Sequence, residues 1–138
     1  MKSIFMVLLV VACGNVAIAQ KAPKAVIDAF NKSYAGASKV KWDKEDAQYE
    51  ATFHYKNQEM SVLYNSNGSV AETETEINTS ELPAAAKNYA SAKGKIKEAA
   101  KIVDAAGKVK YEAEVNHKDL LFDEKGNFIK EKVEAEKD

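Results

Sequence analysis

Few side chains in this 138-residue chain could do chemistry, and their spacing argues against most of it. The histidines are His54 and His117, well separated in sequence and without a cysteine near either. A metal centre needs several convergent donors, so two solvent-facing histidines on polar strand faces are the expectation. Neither histidine lies near a G-x-S-x-G turn, and no nucleophile, base and orienting acid can be grouped from the sequence. Acids are the remaining chemistry. Glu72, Glu74 and Glu76 alternate and would share one strand face, with Glu50, Glu112 and Glu114 on comparable polar faces. Calcium is the tempting ligand, but its sites gather donors in a tight, glycine-turned loop, whereas carboxylates two apart on a strand stand roughly 7 Å apart. A solvated acidic face is therefore expected. Asp123-Glu124-Lys125-Gly126-Asn127 resembles a cation loop only faintly, because its counterpart Asn65-Ser66-Asn67-Gly68-Ser69 has no acid. Paired glutamates with raised pKa values could serve general acid–base work, yet nothing in the sequence buries such a pair. The expectation is no catalytic, metal or cofactor-binding residue.

The aromatics Trp42, Tyr49, Phe53, Tyr55, Tyr64, Tyr111 and Phe122 fall mostly at core parity in their strands. Tyrosine and tryptophan are also enriched at interface hot spots. Candidate partner-binding residues are thus Trp42 first, with Glu50, His54, Glu72, Glu74, Glu112 and Glu114.

Those side chains must be positioned by a two-part chain. Tyr49-Glu50-Ala51 returns as Tyr111-Glu112-Ala113, an offset of 62, and Leu63-Tyr64 with Gly68 returns as Leu121-Phe122 with Gly126, an offset of 58. Pro23 and Pro83 open apolar-periodic stretches 60 residues apart. Two units follow, at about 22–78 and 80–133. In the first, Val26, Ile27, Phe30 and Tyr34 keep a helical period behind Pro23, ending near Gly36. The period then becomes two: Val40 and Trp42; Tyr49 to Tyr55; Met60 to Tyr64; and a strand from Ser69 to about Ile77 after the Asn65–Gly68 turn. The second unit reads as a helix from Leu82 to about Ser91, strands at Val109–Asn116 and Lys118–Phe122, a turn at Asp123–Gly126 and a strand from Asn127. Residues 95–106 can alternate as a strand or form an alanine-rich helix; repeat logic favours strand and propensity favours helix, and the strand is the expectation. The fold class is α+β: two tandem repeats, each a helix followed by an antiparallel β-meander, with the helices packed on one face of the sheet.

Ahead of the first unit, Met1-Lys2-Ser3, an apolar run from Ile4 to Ala12, and Ala17-Ile18-Ala19 read as a secretory leader cleaved after Ala19, leaving 20–138 as the domain. Val10-Val11-Ala12-Cys13-Gly14 offers an alternative, a lipobox that would tether the protein through Cys13. Cleavage after Ala19 removes the single cysteine, which leaves no disulfide and no thiol chemistry. The 20 basic residues, all lysine, stand against 21 acidic ones. Without arginine and without a basic surplus, the chain lacks the electrostatic footprint for nucleic acid. No later apolar run reaches membrane-spanning length.

In combination, Ala29-Phe30 to Tyr34, Val40-Lys41-Trp42, Tyr49-Glu50-Ala51, Leu63-Tyr64 with Gly68, Glu74-Thr75-Glu76-Ile77, Leu82-Pro83, Tyr111-Glu112-Ala113 and Phe122-Asp123 with Gly126 are a distinctive set. On these residues the chain resembles the PepSY-like, β-lactamase-inhibitor-like family of periplasmic proteins from Bacteroidetes-type bacteria. Relatives commonly carry proline after the aromatic where this chain has Tyr34-Ala35. The resemblance implies a sheet covered by helices on one face and open to another protein on the other, with no enzymatic activity. It points to a periplasmic or secreted binding module, an inhibitor or modulator of an exported enzyme acting on an unknown exported protein. The alternative is a small ligand or cation held on the open sheet face.

Overall fold

The computed structural model describes residues 21–133, in two compact units that divide between Thr73 and Glu74. The leader, its cleavage after Ala19 and the lipobox at Cys13 lie outside the described residues. The architecture is α+β, with two helices and eight strands among the described residues.

In the first unit, α1 (Lys24–Ser33) starts immediately after Pro23, whose missing N–H costs nothing at a helix start. An ion pair between Lys24 and Asp28 spans its exposed first turn. Three antiparallel strands follow: β1 (Ser38–Glu45), β2 (Gln48–Tyr55) and β3 (Gln58–Asn65). Lys56 and Asn57 both take positive φ, the two-residue turn whose twist matches the flanking strands. The apolar residues of α1 meet one side of the strands. Val26 and Phe30 form a core with Ala51, Phe53, Val62 and Tyr64, edged by Trp42, Tyr34 and Tyr55. Phe53 sits under both Phe30 and Tyr34, with ring centroids 4.9 and 4.7 Å away. β4 (Val70–Glu76) crosses the division between the units.

The second unit opens with a 3-10 turn, Thr79–Glu81, capped by Asn78 and Glu81 in a reciprocal capping box. α2 (Ala84–Lys93) begins two residues later than the sequence suggests, because Leu82 is extended, with ψ 142. β5 (Ile96–Asp104), β6 (Val109–Val115), β7 (Lys118–Asp123) and β8 (Phe128–Val133) form an antiparallel series. The ambiguous segment is therefore a strand. Ala99 and Ala100 are both buried, on opposite sides, and pair with Ala113 and Glu112, so ladder pairing outweighs alanine's helix propensity. α2 lays Ala86 and Ala90 against Ala99, Ala113, Val115, Leu120 and Phe122. The small side chains let α2 come within 8 Å of β6, Cα to Cα.

The unequal offsets have a structural cause. The β2–β3 hairpin runs two residues further on each strand than β6–β7, so His54, Tyr55, Gln58 and Glu59 have no strand counterparts in the second unit. Gly68 and Gly126 are the closest correspondence. Both have φ near +87, at +88 and +86, in turns closed by an amide-to-carbonyl bond of 2.9 Å, Asn65 to Ser69 and Asp123 to Asn127. A Cβ at Gly68 would lie 2.6 Å from the Ala25 carbonyl oxygen, and one at Gly126 would lie 2.8 Å from the Ala86 amide. In each unit the turn after the third of its matched strands thus tucks under the start of the helix.

Candidate functional site

Strand alternation puts a polar set on the side of each unit that its helix does not cover. In the first unit these are Lys41, Asp43 and Glu45 of β1, Gln48, Glu50, Thr52 and His54 of β2, and Glu59, Ser61, Leu63 and Asn65 of β3. In the second they include Glu98, Ala100 and Ile102 of β5, Lys110, Glu112 and Glu114 of β6, and Asp119 and Leu121 of β7. These acids are not the solvated face their alternation suggests. Glu50 is 6% exposed, Glu74 1%, Glu112 9%, Glu114 7% and Asp119 4%. Strand parity decides the face a side chain takes, and the neighbouring strands decide how much water reaches it.

Burial has different consequences in the two units. Glu50 carries a pKa pushed up to about 7, first by desolvation and then by the charge of Glu45, with Asp43 adding and the Ser61 hydrogen bond opposing. Glu45 is raised by the same burial and by Asp43 and Asp46, and its carboxyl hydrogen-bonds that of Glu50. The charged neighbours acting on Glu50, Glu45 and Asp43, are both acids. In the second unit, Lys97 Nζ lies 2.7 Å from Glu114 Oε1, a cation meeting a buried carboxylate. Gln48 donates to Asn65 Oδ1 at 2.9 Å across β2 and β3. His54 Nε2 stands 3.9 Å from Glu59 Oε2 on the extended hairpin.

The candidates therefore divide. Glu50 and His54 share one face of β2, and Glu112 and Glu114 share one face of β6. Glu72 is half-buried on β4 in the first unit, and Glu74, on the same strand, is buried in the second. Trp42 does not join the acids. It lies on the helix side, edge-on to Phe30 at 5.3 Å and 6.2 Å from Tyr64, a core contact. Asp43, Glu45, Glu59, Ser61, Glu98 and Asp119 went unnoticed in the sequence. Parity with Glu50 would have found the first four, and the offset of 58 aligns Ser61 with Asp119.

The Glu45–Glu50 carboxyl pair, a His–Glu pair and a Lys–Glu pair are among the titratable contacts of these faces. Among the described residues, no three or more His, Cys, Asp or Glu side chains are grouped to hold a metal ion. Asp123 spends its carboxylate on its own turn, Oδ1 accepting from the amides of Lys125 and Asn127 at 2.9 Å. No helix among the described residues is long and apolar enough to cross a membrane.

Two stretches, residues 10–72 and 56–130, match the model of one family, described as "Putative beta-lactamase-inhibitor-like, PepSY-like". Among solved structures, the chain is similar to a Bacteroides eggerthii protein described as "putative periplasmic", with 21% identity and a TM-score of 0.69 over 81% of this chain and 88% of that one. It is also similar to a BLIP-like protein of Bacteroides fragilis, with 24% identity and a TM-score of 0.60 over 86% and 90% of the two chains. At these identities the likeness is one of fold. No curated protein matches the chain. With its two matched stretches covering most of its length, and each carrying the Tyr-Glu-Ala strand and the turn glycine, the chain belongs to the PepSY-like, β-lactamase-inhibitor-like family.

Proposed function

We propose that this chain is an exported, non-enzymatic binding module that engages another exported protein, an enzyme it inhibits or modulates, through the strand face its helices leave uncovered. In this reading residues 1–19 are a leader and 20–138 the working domain, periplasmic or secreted, built of two repeats of one helix-plus-meander plan, each helix packed on one face of its own strands. The observation that carries it is the acidic layer on the side of β1–β3 away from α1, where Glu50, Glu45 and Asp43 stand together with no helix among the described residues over them. A preorganised face on which acids outnumber cations favours a basic surface and sets partner choice and association rate. Glu50, His54 and Glu72 are the proposed contacts of the first unit and Glu112 and Glu114 those of the second, with the buried Glu74 beneath that surface; Trp42 supports the face of the first unit from behind.

The test is capture from the native envelope with the wild-type chain and with Thr52→Arg, a half-buried residue in the middle of that face. One stoichiometric companion with a basic surface, retained by wild type and lost by Thr52→Arg, is expected. Equal capture by both, or capture of nothing by either, sinks the reading. A saturable rise in melting temperature with calcium or zinc would instead favour a cation on this face, since a ligand of the native state stabilises by RT ln(1 + [L]/Kd).

A further inference from the structure

β1 is the least covered strand of the first unit: Trp42 and Glu45 are half-buried and its other residues are exposed. Among the described residues it pairs with β2 alone, and its register breaks between Ser38 and Lys41, where Lys39 takes φ 53. Regular pairing is thus confined to Lys41–Glu45 against Gln48–Thr52. In that short ladder Asp43 lies opposite Glu50, and Glu45, opposite Gln48, reaches diagonally to Glu50. The Glu45 and Glu50 carboxyls hydrogen-bond each other. Two carboxylates have no donor between them, so the contact contains a proton. Glu45 Oε2 is buried without a hydrogen-bond partner, a state far less costly for a neutral carboxyl than for an ion.

The surroundings give a departing proton no substitute. Asp43 from β1 and Asp46 from the β1–β2 turn add negative charge. From β2, the flanking residues Gln48 and Thr52 are uncharged, and His54 faces Glu59 of β3. From β3, Ser61 offers Glu50 a hydroxyl, and Leu63, directly opposite Glu50, is apolar. Lys41, opposite Thr52, is a cation of this face, but the charged groups acting on Glu50 are Glu45 and Asp43.

We propose that β1 is a proton-latched edge strand: one proton shared by Glu45 and Glu50 holds it on β2, and loss of that proton releases the strand and bares the hydrogen-bonding edge of β2. Trp42, the single tryptophan, sits inside the latched stretch and reports on it. In the full chain, raising pH from about 5 to about 9 should shift Trp42 emission to the red and raise its acrylamide quenching about twofold, while far-UV circular dichroism stays nearly constant. The midpoint should fall near 7. Glu50→Gln, whose amide keeps a donor without a titrating proton, should hold the low-pH emission throughout, and His54→Gln should follow wild type. Flat wild-type emission, a transition that persists in Glu50→Gln, or one abolished by His54→Gln would each overturn the latch. Should Glu50→Gln fail to fold, Glu45→Gln makes the same test.

Discussion

The two units fill one plan with opposite volumes. Where α1 lays Phe30 over Phe53, the matching positions of the second unit, 60 and 62 residues on, hold Ala90 and Val115. Val26 answers to Ala86 in the same way. The first unit supports its helix on a stack of rings, Phe30, Tyr34, Trp42, Phe53 and Tyr64, in edge-to-face or tilted contact. The second draws its helix close on alanine and keeps its rings to one flank, with Tyr89 stacked on Phe128 at 4.6 Å and set edge-on to Phe122. Interiors must reach the same packing density whichever residues supply it. Two units with matching turn glycines can therefore fill their cores with different residues, because no volume exchange can replace the turns.

If that contrast is right, substitutions should act in opposite senses in the two units. The largest effect expected is Phe53→Ala, about 3–5 kcal/mol, because the ring stack leaves a cavity that α1 cannot close. Urea denaturation measures it, and a loss under about 1 kcal/mol would show the first core to be as collapsible as the second. Next comes the polar face. Glu50 binds its proton more tightly folded than unfolded, so its stabilising effect is complete below the ordinary carboxylate range and is lost as pH rises through about 7. Unfolding free energy should fall by about 2–3 kcal/mol over that interval, and Glu50→Gln should flatten the slope. Denaturation series at several pH values decide it; an unchanged slope in Glu50→Gln would mean that other groups carry it. Smallest is overpacking of the alanine interface. Ala90→Leu should cost about 1–3 kcal/mol by forcing α2 off β6, whereas a neutral result would reveal unused space there.

The outer strands resemble each other more than the cores do. β1 carries Lys39, Lys41 and Lys44, and β8 carries Lys130 and Lys132. Lysines on strands with a free edge discourage pairing with another chain. In β1 this guard is combined with acids that must share a proton to stay paired.

Much of this was legible in the residues. The helical period behind Pro23, the two-residue alternation and the Gly68 and Gly126 turns are local properties, set by φ preferences and by which way successive Cβ atoms point. The polar side of each strand could be read from the same alternation. The burial of that side could not, because exposure depends on strands distant in sequence: Glu50 is enclosed by Asp43 and Glu45 from one neighbour and by Ser61 and Leu63 from the other. Trp42 shows the same limit, since parity assigns it a face and only the position of Phe30 makes that face a core. Residues 96–104 mark where local information ends. Their alternation suits a strand and their alanines a helix, and pairing with β6, a contact the segment cannot encode alone, makes them a strand. Sequence by itself determined most of the helices, strands and turns; tertiary structure decided which acids lost their water, and so why the Glu50 carboxyl holds its proton up to about pH 7, because desolvation is a property of the assembled neighbours.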